Sequence, residues 1–413
     1  MTKLSASQSL EDWLFHLEQL HGQAIDMGLT RVRQVAEAAG LLPLPAKTVL
    51  VGGTNGKGST CAMMESVLLA AGYQVAVYSS PHLLDYRERL RVNGQLLAAA
   101  KHCQAFAVIE QARKDISLTY FEFSTLAALW LCHQYPLDVV LLEVGLGGRL
   151  DATNIVDADV AVITSIDLDH QAFLGDTREA VAREKVAIGR AGRPLICGEP
   201  EPTAAFFAGA ESIGAAVQWV GRDFHYQDMG TTWRFNEQLL PRPTLPLANA
   251  ATAMAALTVL ALPVSDKAYQ TGLGRAQLAG RMQQLADAPL LLVDVAHNPH
   301  AARYLNGELQ RRFAGRTIHG VCAMLADKDI AGTLTALGQI THWYPAELPG
   351  VSRAAPAQQL ATITGAKQCY PDVTAALAAA RAKATAQDVV IVFGSFYTVA
   401  QVLPKEAPLC PTL

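Results

Sequence analysis

A glycine-rich stretch with one lysine is the segment best suited to bind an anion. Residues 49–60 read Val-Leu-Val-Gly-Gly-Thr-Asn-Gly-Lys-Gly-Ser-Thr, a β-branched run followed by a turn and the start of an apolar helix. Such a turn points backbone N–H groups at a ligand, and Lys57 adds a full positive charge. The general phosphate-loop pattern asks for glycine at 51 and serine or threonine at 58, where this chain has Val51 and Gly58. The interpretation as a phosphate loop therefore depends on the segments around the turn, a predicted strand before it and a predicted helix after it.

Polar side chains also end three other apolar segments. Ser80, Glu143 and the pair Asp169-His170 each follow a run that predicts a buried strand. Ligands of open parallel sheets bind beyond the carboxyl ends of the strands. The sequence therefore predicts that these side chains and the phosphate loop converge on one bound nucleotide.

Glu143 is the strongest candidate for a metal ligand. It closes an apolar strand and resembles the acidic end of a Walker B strand, whose carboxylate holds Mg²⁺. The alternative is that Glu143 is a solvated residue at a strand end. The metal ligand is the favoured interpretation, because the strand before Glu143 is fully apolar and the chain also has a phosphate loop. By chemistry alone, Asp167 and Asp169 are better Mg²⁺ ligands than His170, although they could equally be turn or helix-capping residues.

Two further residues have alternative interpretations at this point. Lys185 lies in Arg183-Glu184-Lys185 on a predicted helix, where its local sequence indicates a solvated lysine. Asp294 ends a predicted strand, so it could accept a hydrogen bond from a ribose hydroxyl or cap the next helix. The local sequence does not decide between the two roles of Asp294.

The elements that position these residues alternate along the chain. Ser9 and Asp12 predict a capping box that begins a helix ending near residues 21–22. Further strands are predicted over 48–51, 74–78, 137–143, 159–165 and 195–197, and helices over 123–134, 176–190, 202–214 and 249–262. Short strands and turns are predicted over 224–247. After residue 280 the alternation restarts, with strands at 290–294, 317–323, 342–345 and 389–393 and helices at 299–313, 330–340, 357–364 and 373–386.

This order predicts an α/β fold with two domains. Short β-α-β spacing implies parallel strands joined by right-handed crossovers. We expect a P-loop ATPase-like domain with a mostly parallel sheet over residues 1–282. A smaller, Rossmann-like α/β domain is expected over residues 283–413.

Composition excludes several classes of function. The 413 residues are 51% hydrophobic and 17% charged with a net charge of −4 and no polybasic run, so neither nucleic acid nor an anionic membrane is an expected partner. Seven cysteines without CxxC spacing argue against structural zinc and disulfides, and favour the cytoplasm. No secretory signal or apolar stretch of about 18 to 20 residues is present in this sequence.

Six motifs in one order resemble those of a known family. The chain is similar, from about Leu10 to Val402, to the bacterial bifunctional dihydrofolate synthase/folylpolyglutamate synthases of the Mur ligase superfamily. The phosphate loop that departs from the general pattern has the form that this superfamily uses. The motifs are Gly53–Ser59, Tyr78–His82, Leu142–Asn154, Asp169–His170, Arg183–Lys185 and Asp294–His300.

The resemblance implies an ATP-dependent reaction that forms an amide. A substrate carboxylate attacks the γ-phosphate of ATP to give an acyl phosphate, and the amine of L-glutamate then attacks the acyl carbon. The acceptors are dihydropteroate, which becomes dihydrofolate, and reduced folates, which become polyglutamates. The resemblance further implies Mg²⁺, as two ions, and a cytoplasmic monomer whose second domain is a glutamate-ligase domain.

The resemblance also implies roles for individual residues. The metal ligands are Ser80, Glu143 and His170, which places His170 ahead of the aspartates, and Lys185 is a carbamate. The catalytic residues are Lys57, Lys185 and His170. ATP is bound by residues of both domains: Thr54, Asn55, Gly56, Lys57, Gly58, Ser59, Asn249, Arg281 and Asp294. Dihydropteroate is bound by Gln19, Leu20, His21, Gly22, Thr119, Tyr120, Phe121, Glu122, Leu150, Asp151 and Ala152.

Other functions are less consistent with the sequence. Phe121 and Asp151 favour the bifunctional enzyme over a folylpolyglutamate synthase alone. A cell-wall Mur ligase would need an additional N-terminal domain before the phosphate loop. A GTPase would need an Asn-Lys-x-Asp segment and an Asp-x-x-Gly motif directly after the strand that ends at Glu143; the first does not occur, and Glu143 is followed by Val-Gly-Leu-Gly-Gly. A purely structural protein leaves the ordered motifs unexplained.

Overall fold

The computed structural model describes residues 5–404 and contains two compact units that divide between Gln277 and Leu278. The ends of the two predicted domains, residues 1–4 and 405–413, lie outside the described residues. Each unit has its own sheet and is described separately.

The first unit is built on an eight-stranded sheet in the order β4-β3-β2-β5-β1-β6-β7-β8. The pairs β2–β3 and β3–β4 are antiparallel, and the others are parallel. A separate antiparallel sheet contains β9 to β11. The strands are β1 Lys47–Gly52, β2 Val75–Tyr78, β3 Leu90–Val92, β4 Gln95–Leu96, β5 Val139–Glu143, β6 Val160–Ile163, β7 Pro194–Cys197, β8 Ala216–Trp219, β9 Tyr226–Asp228, β10 Thr232–Phe235 and β11 Gln238–Pro241.

Ten helices surround these sheets within the described part of the first unit. They are α1 Leu10–Gln19, α2 Thr30–Ala38, α3 Lys57–Ala70, α4 Ala99–Arg113, α5 Tyr120–Cys132, α6 Gln171–Leu174, α7 Arg178–Val186, α8 Ala204–Ile213, α9 Leu247–Val259 and α10 Asp266–Arg275. Short 3₁₀ helices cover Tyr86–Arg89 and Ala152–Ile155.

The central strands follow directly from their sequences. β5 and β6 are Val-Val-Leu-Leu-Glu and Val-Ala-Val-Ile, and every residue of both is buried. Strands of this kind are apolar on both faces because helices cover both sides of a parallel sheet. The helix that follows the phosphate loop, α3, is buried from Ser59 to Leu68 and packs on α9 and α10. The sheet and α3 therefore hold the loop between them.

The second unit has a five-stranded sheet in the order β12-β13-β16-β14-β15. Only β12–β13 is antiparallel in this sheet. The elements are β12 Gln283–Asp287, β13 Leu290–Asp294, α11 Pro299–Phe313, β14 Ile318–Cys322, α12 Ile330–Thr335, β15 His342–Pro345, α13 Ala357–Thr364, α14 Val373–Lys383, β16 Val389–Phe393 and α15 Phe396–Ala400.

The predicted α/β architecture is confirmed, and most predicted elements occur within a few residues of their expected bounds. The predicted capping box is present, since Ser9 accepts from Asp12 N and Asp12 accepts from Ser9 N. The helices α2, α4, α6, α10 and α15, the strands β8 and β12 and the β3–β4 hairpin were not predicted. The helix expected to begin at Asp176 is capped by Thr177 instead. No helix in residues 5–404 is long and apolar enough to cross a bilayer.

Candidate active site

Two glycines shape the phosphate loop at the carboxyl end of β1. Gly53 has φ 145° and Gly56 has φ 86°, both in the region that side chains disfavour. A Cβ at Gly53 would overlap the Thr164 hydroxyl, and one at Gly56 would overlap the Asn249 amide. The loop therefore needs glycine for its backbone conformation and for the close approach of its neighbours.

Hydrogen bonds from the residues that follow β6 hold this loop in place. Thr54 N donates to Ser165 O at 2.9 Å, and Thr54 Oγ1 donates to Asp167 O at 2.8 Å. Asn55 N donates to Ser165 Oγ at 3.0 Å, and Thr164 Oγ1 donates to Asn55 O at 2.6 Å. The braced loop leads directly into α3, whose first N–H groups have no intrahelical partner and can therefore donate to a ligand.

Lys57 folds back over the loop that it follows. Its Nζ donates to Gly53 O at 3.0 Å and to Thr54 O at 3.3 Å. Ser59 Oγ donates to Gly56 O, and Asn249 on α9 donates through Nδ2 to Ser59 Oγ at 2.7 Å. The structure thus brings together Asn249 and the loop residue Ser59, which are 190 positions apart in the sequence.

The Gly53→Ala substitution should disrupt the loop. An alanine there must adopt φ 145° and displace Thr164, so we expect the free energy of unfolding to fall by about 1 to 3 kcal/mol, with loss of nucleotide binding. Urea unfolding and nucleotide titration measure both effects. Gly274→Ala is the matched control, because Gly274 is exposed on α10 with open space around it and alanine favours a helix. Equal stabilities of the two variants would contradict this account.

Glu143 and Ser80 meet beside the loop. Glu143 is only 6% exposed, so the alternative of a solvated strand end is wrong. Its Oε2 accepts from Ser80 N at 3.4 Å, which puts the two predicted metal ligands at neighbouring strand ends. In residues 5–404, no three His, Cys, Asp or Glu side chains form a group that could hold a metal alone. A donor set of one buried carboxylate and a hydroxyl suits Mg²⁺, which usually keeps several waters and substrate oxygens.

His170 lies on the segment that follows β6. It has φ 50° and precedes α6, with an exposed side chain. Asp167 Oδ1 accepts from Leu168 N at 2.8 Å, and Asp169 Oδ1 accepts from His170 N at 2.8 Å. Both aspartates therefore bind backbone in this loop, as the turn alternative predicts.

Lys185 is a buried amine close to the phosphate loop. It is 3% exposed, so the solvated lysine that its local sequence indicates is wrong. Burial and, next, the charge of Lys57 lower the pKa of Lys185 to about 7, against the opposing effects of Asp169, Asp151 and Glu184. A buried lysine with a lowered pKa is substantially neutral at physiological pH and therefore nucleophilic.

Asp151 and Phe121 meet at the turn after β5. Asp151 Oδ2 accepts from Gly145 N and Leu146 N, and its Oδ1 accepts from Thr153 N and Oγ1. Burial raises the pKa of this carboxyl against those hydrogen bonds. The Phe121 ring covers Gly145, because a Cβ there would lie 2.6 Å from Phe121 Cζ. The predicted segments 119–122 and 150–152 thus form one surface.

The segments 19–22 and 119–122 are joined by a chain of charged groups. Thr119 and Glu122 form a capping box at the start of α5, three residues before the predicted helix start. Glu122 pairs with Arg31 at 3.1 Å, and Arg31 pairs with Asp26 at 2.6 Å. His21 Nε2 contacts Asp26 Oδ2 at 3.1 Å. Sequence reasoning missed Asp26 and Arg31, whose only signal is their position between two predicted binding segments.

Arg281 and Asp294 lie in the second unit. Asp294 accepts from Met282 N and Ala296 N at 2.9 Å each, and burial raises the pKa of its carboxyl. The helix-cap alternative for Asp294 is wrong, since Asn298 caps α11 by accepting from Ala301 N. The Arg281 guanidinium lies 5.2 Å from the centre of the Phe396 ring.

Comparison with known proteins places this arrangement in a family. Models of the Mur ligase middle domain and of the Mur ligase glutamate ligase domain match residues 51–196 and 280–396. The dihydrofolate synthase/folylpolyglutamate synthase of Escherichia coli is 50% identical over 404 residues, covering 96% of each chain. The chain belongs to the dihydrofolate synthase/folylpolyglutamate synthase family. It is therefore an ATP-dependent ligase that forms amide bonds.

Solved structures of this family agree with the described fold. E. coli FolC in complex with DHPP and ADP superimposes with a TM-score of 0.94 at 49% identity, covering 97% of this chain and 98% of that one. The Yersinia pestis enzyme complexed with AMPPNP and a Mn ion superimposes with a TM-score of 0.93 at 50% identity and the same coverage. The resemblance inferred from six motifs is thus confirmed as family membership over nearly the whole chain.

Proposed function

We propose that this enzyme adds L-glutamate to dihydropteroate, forming dihydrofolate, and to reduced folates, forming polyglutamates. The observation that carries the proposal is the convergence of a nucleotide loop, the buried Glu143 and the buried Lys185 in the first unit, beside the surface of Phe121 and Asp151. That surface supports the bifunctional activity rather than a folylpolyglutamate synthase alone. Names of the related proteins agree with both reactions.

The reaction consumes one ATP for each amide. A carboxylate oxygen of the acceptor attacks the γ-phosphorus, the bond to ADP breaks, and an acyl phosphate results. The glutamate amine then attacks the acyl carbon, loses a proton, and the carbon–oxygen bond to phosphate breaks. Since a carboxylate is a poor electrophile, the protein must chiefly position the reactants and neutralise charge.

The phosphate loop is assigned to the nucleotide. Lys57 Nζ would exchange its two carbonyl partners for phosphate oxygens, and the α3 amides would donate to the same oxygens. Thr54, Asn55, Gly58 and Ser59 complete this site, with Asn249 holding Ser59 in place. In the second unit, Arg281 and Asp294 are proposed as nucleotide contacts.

Ser80, Glu143 and His170 are proposed to hold Mg²⁺, as two ions. When bound, the metal neutralises phosphate charge and polarises the reacting oxygens. Glu143 is suited to this role because it is a buried carboxylate at a strand end next to the loop. His170 contributes an exposed imidazole from the neighbouring strand end.

Lys185 is proposed to be a carbamate. Its neutral amine would attack the carbon of CO₂ and release one proton, which leaves an anionic oxygen donor in place of a cation. The low pKa of Lys185 supports this step, because only the neutral amine reacts with CO₂. The change of sign would also relieve the repulsion between Lys185 and Lys57.

The pterin substrate is assigned to the surface around α5. Its contacts are proposed to be residues 19–22, 119–122 and 150–152, which the structure connects through Phe121, Asp151, Arg31 and Glu122. We further propose a cytoplasmic monomer that binds neither nucleic acid nor membrane. The ATP-binding domain is assigned to residues 1–282 and the glutamate-ligase domain to residues 283–413.

A substrate panel tests this assignment. Purified enzyme is supplied with ATP, Mg²⁺, L-glutamate and one acceptor, either dihydropteroate, tetrahydrofolate or a UDP-muramyl precursor. We expect ADP and amide product with the first two acceptors and neither with the third. Phosphate release that depends on neither acceptor nor glutamate would refute the proposal. If amide product forms with tetrahydrofolate but not with dihydropteroate, the enzyme is a monofunctional folylpolyglutamate synthase.

A further inference from the structure

Arg89 is a buried cation without a carboxylate partner. It is 9% exposed at the end of a short 3₁₀ helix, and it forms no ion pair with any Asp or Glu in the described residues 5–404. Burying an unpaired charge is normally strongly unfavourable, so apolar residues usually occupy such positions. A position of this kind indicates that the guanidinium has a function other than stability.

Aromatic rings surround the Arg89 guanidinium. Its Cζ lies 5.1 Å from the centre of the Tyr120 ring and 5.8 Å from that of Tyr86, both within cation–π distance. Tyr86 itself packs against Phe106 and His102 at 5.4 Å each. Tyr86 is thus anchored in the core, whereas Tyr120 belongs to the segment assigned to the pterin substrate.

The same residue holds the loop that carries Ser80. Arg89 Nε donates to His82 Nδ1 at 3.0 Å, and Ser79 N donates to Arg89 O at 2.9 Å. These contacts fix the loop on both sides of Ser80. The adjacent Glu88 binds the rest of the loop, accepting from the backbone N–H groups of Leu83, Leu84 and Asp85 at 2.8, 2.7 and 2.6 Å.

We propose that Arg89 is a positioning residue that sets the Ser80 loop relative to Tyr120. The inference rests on the proposed function and deepens it, since it joins the metal loop to the pterin segment through one side chain. Among the described residues, the Arg89 side chain forms no hydrogen bond or ion pair with residues 53–59 or with Glu143. Its effect on the reaction acts through the Ser80 loop and Tyr120, because the guanidinium donates to His82 in that loop and lies within cation–π distance of the Tyr120 ring.

Arg89→Met tests this role, because methionine keeps the apolar stem and removes the charge, the donor and the stacking plane. We expect the Mg²⁺ concentration for half-maximal rate and the KM for dihydropteroate each to rise about tenfold. The thermal midpoint should stay unchanged or rise, because a buried unpaired charge has been removed. Lysine keeps the charge but lacks the planar guanidinium, so Arg89→Lys should raise the half-maximal Mg²⁺ concentration and the KM for dihydropteroate about as much as Arg89→Met does.

Arg87→Met is the matched control. Arg87 lies two residues away, but its side chain is 35% exposed and pairs with Asp85 at 2.7 Å instead of reaching His82 or Tyr120. For this control, we expect the half-maximal Mg²⁺ concentration and the KM for dihydropteroate to stay within twofold of the wild-type values. A wild-type enzyme without amide product would refute the proposed function itself. If the wild type is active, two results overturn the positioning role. One is an Arg89→Met enzyme whose half-maximal Mg²⁺ concentration and KM for dihydropteroate are unchanged. The other is a loss of rate in Arg89→Met that is fully explained by a lowered thermal midpoint.

Discussion

Lys57→Ala is expected to lower kcat by about a thousandfold while leaving the fold intact. Lys57 Nζ donates to two neighbouring loop carbonyls, Gly53 O and Thr54 O, so its removal should cost little folding free energy. In the reaction, its charge stabilises the phosphate that is being transferred at the N-terminus of α3. Steady-state rates with saturating dihydropteroate, ATP and glutamate measure the effect, and circular dichroism checks the fold.

Lys101→Ala is the matched control for Lys57→Ala. Lys101 is exposed on α4, and its removal changes the net charge equally without touching the loop. We expect its kcat to remain within twofold of the wild type. Similar rates for Lys57→Ala and Lys101→Ala would show that the lysine of the loop does not act on phosphate.

Lys185→Ala is expected to lower kcat by about 10²- to 10³-fold. If the working form of Lys185 is an anionic carbamate, a small carboxylate such as formate should enter the space and restore part of the rate. Arg183→Ala on the same helix is the control, since Arg183 is exposed, and formate should leave its rate unchanged. A Lys185→Ala enzyme with wild-type activity would contradict the role.

The wild-type enzyme offers a second test of the carbamate. Enzyme stripped of CO₂ should be inactive, and addition of dissolved CO₂ should restore activity. At a fixed CO₂ concentration, the reactivation rate should rise with pH and level off above about 7, because the pKa of Lys185 is about 7 and only the neutral amine reacts. Activity that is independent of CO₂ at every pH would exclude the carbamate.

Much of the fold could be predicted because its signals are local. The capping box at Ser9 and Asp12 involves residues three positions apart, and the buried strands β5 and β6 are continuous apolar runs. The phosphate loop was likewise recognised from a strand, glycines and a helix start within twelve residues. Neighbouring parallel strands then place Glu143 and Ser80 near each other, as the strand ends predicted.

The environment of Lys185 could not be predicted from its neighbours in the sequence. Helix α7 reads Arg-Glu-Ala-Val-Ala-Arg-Glu-Lys-Val, a mostly polar segment in which a lysine is expected to face solvent. Its burial arises from packing against the turn after β5, where a Cβ at Gly148 would lie 2.5 Å from Glu184 O. Burial lowers the pKa of Lys185 most, and next the charge of Lys57, which is more than a hundred positions away in the sequence.

Arg31 and Arg89 were missed for the same reason. Each is one of 33 basic residues in the chain, and no spacing distinguishes them. Their partners Glu122 and Tyr120 lie at the start of α5, far from either arginine in the sequence. Helix α5 itself was predicted to begin three residues late because the Thr119 capping box was overlooked. Because residues 120–122 were not predicted to be helical, the contacts of both arginines with this segment could not be inferred from the sequence.

The most direct test of the account is to follow the oxygen of the acceptor carboxylate. Dihydropteroate labelled with ¹⁸O in both carboxylate oxygens is incubated with enzyme, ATP, Mg²⁺ and L-glutamate, and the released phosphate is analysed by mass spectrometry. An acyl phosphate requires one ¹⁸O atom in each phosphate released, with the other retained in the amide carbonyl. Unlabelled phosphate formed together with dihydrofolate would contradict the acyl-phosphate mechanism.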